Sequence, residues 1–107
     1  MILFNKYIVP KDFVSLTLFP FIFLKSIAQK ENKVLLNHEK IHLQQQKEML
    51  VLFFYLWYTV EFLVRFVKTK NKNKAYRGIS FEQEAYAHET DMLYIEKRPK
   101  WAFLKYL

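Results

Sequence analysis

Between Ile27 and Val67 the chain contains neither proline nor glycine. A run of this length without a helix breaker favours long helices. Within it lies His38-Glu39-Lys40-Ile41-His42. Residues four apart stack on one face of a helix, so the two imidazoles can reach one metal ion. Glu39, one position round, falls beside that ion, where a carboxylate can take a proton from a bound water. Leu35, Leu36 and Leu43 flank the motif as apolar anchors. Two histidines do not close a catalytic site, so a third ligand must come from elsewhere.

The stretch Ser80-Phe81-Glu82-Gln83-Glu84-Ala85-Tyr86-Ala87-His88-Glu89 offers it. A His-Glu-x-x-His helix followed by a helical Glu-x-x-Ala resembles the gluzincin metallopeptidases. With Gln45, Tyr76-Arg77 and Phe81-Glu82-x-Glu84-Ala85, the chain is similar to short bacterial proteins of minimal gluzincin-like form. The likeness extends from about residue 16 to 89, with its specific motifs in two short stretches. It implies a zincin-like domain binding Zn²⁺ through His38, His42 and Glu82, with Glu39 as general base. Many gluzincins carry an Asp after that Ala, hydrogen-bonded to the first His. This chain has Tyr86 there, so a Tyr hydroxyl or Glu89 would have to stand in. Glu84 is the competing third ligand. It points roughly 200° from Glu82 around a helix, so one geometry admits only one of them. Tyr76, Arg77, Tyr86 and His88 are candidate donors to the transition state, and Gln45, one turn past His42, can orient a ligand or line the cleft.

A chain of 107 residues accommodates one domain spanning 1–107 with one core. Hydrophobic residues make up 52% and aromatics 19%, too apolar for disorder outside 68–74. There is no cysteine, which excludes disulfides and thiolate ligands and leaves nitrogen and oxygen donors. The start lacks a basic region followed by an apolar core and a small-residue cleavage site, and a cytoplasmic location is expected. The net charge of +7 favours anionic surfaces. The lysines at 68–74 lack interleaved aromatics, so no nucleic-acid partner is expected.

In chain order, residues 1–10 read as an extended start. The β-branched and aromatic residues of 13–24 predict two strands split at Pro20. The resemblance gives this stretch a role as the edge against which a peptide substrate lies, at Leu16, Thr17, Leu18 and Phe19. A polar connection over 25–33 precedes the motif helix, which starts near Val34. Residues 49–60 are nearly continuous apolar sequence, followed by Glu61 and Arg65 at pairing distance on a helix. A single span through 49–67 would put His42 and Glu82 on opposite sides of a hydrocarbon layer roughly 30 Å thick. A zinc site using Glu82 therefore excludes that span, and the segment is expected to be a core helix. Peripheral membrane contact is the alternative for its surface.

One straight helix from His42 to Val67 would be about 38 Å long. Either it turns near 46–48, or 68–81 runs back extended. The lysines at 68–74 read as a loop. Ser80, with Gln83 three on, reads as a capping box opening a helix that runs to about Lys97 and stops before Pro99. The apolar tail 101–107 is expected to dock on the core or on a partner. These readings give an α+β domain: short strands, the motif helix, an aromatic helix and a C-terminal helix carrying the third ligand. The function they point to is hydrolysis of a peptide or protein substrate by zinc-activated water. Two others stay open: a zinc-binding remnant without activity, and a basic module for membrane surfaces or partners in which the motif is accidental.

Overall fold

Strand formation begins where β-branched and aromatic residues cluster. In the computed structural model, which describes residues 2–5, 7–9 and 13–107, β2 (Ser15–Leu18) and β3 (Phe21–Leu24) form a hairpin around a cis Phe19–Pro20 bond, with Thr17 opposite Ile22. The two strands expected on either side of Pro20 are thus present. β1 (Ile2–Phe4) pairs in parallel with β3, giving the order β1-β3-β2. β3 is central and β2 is an edge. Of the extended start expected over 1–10, Met1, Lys6 and Pro10 lie outside the described residues.

A 3-10 turn (Ile27–Glu31) leads to α1 (Lys33–Met49), whose start is capped by the Asn32 side chain accepting from the Leu35 amide. α1 ends at Leu50, held at φ 61°, and α2 (Val51–Thr69) leaves at 110° to it. The turn expected at 46–48 therefore falls just after that window. It eases the problem of return distance, because α2 turns sharply away from the line of α1 instead of continuing it.

The lysine stretch is not a loop. α2 runs through Lys68 to Thr69, Lys70 takes a left-handed conformation, and α3 (Lys72–Gly78) starts at once. The Asn71 side chain caps it by accepting from the Lys74 amide. Lysine has good helix propensity, and one Asn placed at a cap sufficed to start a helix there.

α4 (Ser80–His88) carries the second motif, but not through the expected capping box. Ile79 holds the cap position, the Ser80 amide and hydroxyl both donate to the Glu61 carboxylate, and Gln83 donates to the carbonyls of Gly78 and Tyr106. Nor does the helix reach Lys97 unbroken. After His88 the chain turns at Asp91, whose side chain accepts from the Leu93 amide, before the short α5 (Tyr94–Lys97). The break is bonded from outside: Asn37 of α1, buried, donates to the carbonyls of Glu89 (2.8 Å) and Asp91 (3.0 Å). The Asp91 carbonyl also accepts from the Tyr94 amide, so Asn37 ties the break to α1 at both ends.

Met49, Phe54, Ile79, Phe81 and Phe103 form the main core cluster. The C-terminal tail does dock there: Phe103, in a 3-10 turn (Ala102–Tyr106), is fully buried against Phe81 and Trp57. The result is a small α+β domain. The expectation of a core helix over 49–67 needs correction, because Phe54 is the only residue of α2 that is buried. One face of α2 covers the core and the other is open. Among the described residues no single helix is long and apolar enough to cross a membrane; only α1 and α2 taken together, bent by 110°, reach that composition.

Candidate metal centre

On α1, His38 and His42 stack as their spacing requires, with their Nε2 atoms 3.2 Å apart. The first turn of α4 brings in Glu82, whose Oε1 is 3.1 Å from each Nε2. All three side chains are buried. Tetrahedral zinc at about 2.0–2.1 Å from its ligands needs donor atoms roughly 3.3 Å apart. The triangle fits that requirement closely and leaves one side for a fourth ligand. His38, Glu39 and His42 also bring ligand atoms within 4.8 Å of one another. The triangle with Glu82 is tighter and nearly equilateral, with Glu39 beside it.

The far side of each donor is also held. His42 Nδ1 lies 2.7 Å from Gln45 Oε1. Gln45 itself donates from Nε2 to the Phe81 carbonyl and to Glu84, which fixes the amide orientation and makes its oxygen the acceptor. His42 therefore carries its proton on Nδ1 and turns Nε2 toward the site. His38 Nδ1 faces Glu89 Oε2 at 3.5 Å. Tyr58 of α2 donates to the second oxygen of Glu82 at 2.7 Å. Glu39 accepts from the Thr17 hydroxyl at Oε1 (3.1 Å), while Oε2 lies 4.0 Å from His38 Nε2.

Charge in the site is arranged for a cation. Burial works against an imidazolium at His42, but Glu82 beside it outweighs this, with help from Glu39, and its pKa rises to about 9. Burial likewise opposes the Glu82 carboxylate, and the two histidines overcome it, holding its pKa well below the usual range. In the metal-free protein a proton on His42 thus occupies the place a metal would take. Burial, then Glu82, drives the Tyr58 and Tyr76 hydroxyls far above their ordinary range, so both remain donors.

No protein family, curated protein or solved structure gave a significant match to the chain.

A cleft of about 960 Å³ opens over the triangle, walled by Ser15 and Thr17 on one side and Tyr55, Tyr58, Tyr76 and Tyr86 on the other. The Tyr86 ring packs edge-on against His38 (4.5 Å), and its hydroxyl lies 3.2 Å from that of Tyr76. Arg77 does not line the cleft but stacks over Tyr86 at 3.7 Å, from where it supports that ring. His88 is also outside, stacked on Tyr94 and bonded to the Tyr106 hydroxyl. Gln45 lies fully buried beneath His42 rather than in the cleft.

Glu84, the competing ligand, is on the opposite side of α4. Its oxygens accept from Arg98, Tyr94 and Gln45, leaving none for a metal at the histidines. Of the proposed substrate edge, Leu16 and Thr17 line the cleft but Leu18 and Phe19 do not. The Thr17 carbonyl is taken by Gln46 and Tyr55, and Gln46 also accepts from the Phe19 amide. The strand is thereby clamped to α1 at that end. Sequence reasoning missed Gln46, although it lies one turn past His42. It also missed Tyr58, which nothing in its aromatic run distinguished from its neighbours.

Proposed function

We propose that this protein is a zinc-dependent peptidase of gluzincin-like, zincin-like form. The observation that carries the reading is the buried triangle of His38 Nε2, His42 Nε2 and Glu82 Oε1, each held from behind by another side chain. Zinc, when bound there, would polarise a peptide carbonyl and make a water acidic. The chain's own groups supply the remainder. Glu39 has one oxygen fixed by Thr17 and one toward the triangle, and it takes the proton from the attacking water and returns it to the leaving nitrogen. Tyr76 and Tyr86, hydroxyls paired at the cleft wall, are the donors for the developing oxyanion. The uncovered edge of β2 near Ser15 offers backbone groups to an extended peptide.

Glu39→Gln keeps the shape of the side chain and removes its basicity. It should retain zinc and fold while peptide hydrolysis falls by about 10²–10⁴-fold or more. The assay is cleavage of a mixed peptide library read by mass spectrometry, alongside metal analysis of protein purified without chelator. Equal cleavage by both proteins would assign the hydrolysis to something else. A zinc-loaded wild type that cleaves nothing would make this a binding protein.

A further inference from the structure

α2 has a second face that the site does not use. Leu52, Leu56, Val60, Leu63, Val64 and Val67 are all exposed, Leu52 at 76% and Val67 at 73%. On a helix they fall within an arc of about 120° and extend about 24 Å along it. No charged residue interrupts this arc, since Glu61 and Arg65 point to the core side, where they pair with each other. Exposed apolar stripes of this extent mark contact surfaces.

The chain also specifies what covers it. From 62 to 81 there are six basic residues, Arg65, Lys68, Lys70, Lys72, Lys74 and Arg77, and no acidic one. The four lysines are exposed and gather where α2 ends and α3 begins, at one end of the apolar stripe. An apolar arc with lysines at its end matches a bilayer interface bearing anionic headgroups. A second copy of the chain, itself carrying a net charge of +7, would oppose this basic surface with like charge. No described helix is long and apolar enough to cross. We propose that α2 lies in the surface of an anionic membrane through this face, with the 68–74 lysines on the headgroups. This goes beyond the peptidase reading and does not depend on it.

The test is co-sedimentation of the full-length protein with phosphatidylcholine vesicles, with and without phosphatidylglycerol. Wild type should bind the anionic vesicles and be released by salt. Leu56→Asp/Leu63→Asp should bind on the order of a hundredfold or more weakly. Lys68→Gln/Lys72→Gln, exposed and harmless to the core, should lose about fivefold per lysine. Circular dichroism of each variant verifies the fold. Failure of wild type to bind, equal binding to neutral vesicles, or undiminished binding by the lysine variant would overturn the proposal. So would a salt-stable dimer dissociated by the aspartate substitutions.

Discussion

Glu82 and Glu84 are two residues apart and have opposite tasks. Glu82 faces the histidines and Glu84 meets Arg98 in a buried ion pair that also holds Gln45. Glu82→Ala should therefore abolish tight zinc binding with modest effect on folding. Glu84→Ala leaves Arg98 buried without its partner and should cost about 3–5 kcal/mol of stability, read by denaturant unfolding. Tyr58→Phe removes only the bond to Glu82 and should weaken zinc binding by about 10–100-fold in a competition titration. The site also predicts a pH profile for the zinc-free protein. His42 keeps its proton up to about 9, against 6.5 as its ordinary value. Its contribution to stability is complete below 6.5 and lost as pH rises through 9. The Glu82 contribution is present above 4.5 and fades as pH falls toward its depressed pKa. Urea unfolding of chelated protein across this range should show both losses, and zinc should erase the alkaline one.

Among the elements, the hairpin was legible because Pro20 cannot sit inside a ladder, and α1 because nothing in it breaks a helix. The spacing of His38 and His42 needs only helical geometry. Other features were not legible. Lysine composition alone does not separate a loop from two helix ends, and the Asn71 cap decided it. An unbroken apolar run over 49–60 marks a helix without showing that only one side would be covered. The turn between α1 and α2 had no glycine to announce it. Leu50 is held at φ 61°, ψ 143°, with its side chain 64% exposed. Backbone of this kind costs a leucine about 1–3 kcal/mol. Leu50→Gly loses little packing and should raise stability by about 1 kcal/mol, measured by thermal or urea unfolding.

For the molecule as a whole, the proposed ligand set joins segments 44 residues apart, tying α1 to α4. An ion bound only by the folded chain adds its binding free energy to folding. Chelation should lower the melting temperature and His38→Ala/His42→Ala should make it insensitive to chelator, both visible in a thermal scan. α2 sets the precision of that site, since its inner side carries Tyr58 on Glu82 and Glu61 on the first residue of α4. The same rod has its outer side in the open. Geometry would let it act as an axle: turning it by about 10° would shift side-chain tips on the opposite side by about 1 Å. A displacement of that size at a catalytic centre is worth about a hundredfold in rate. In the peptidase proposed above, whatever grips the outer side of α2 would have its hand on the alignment of Glu82 through Tyr58.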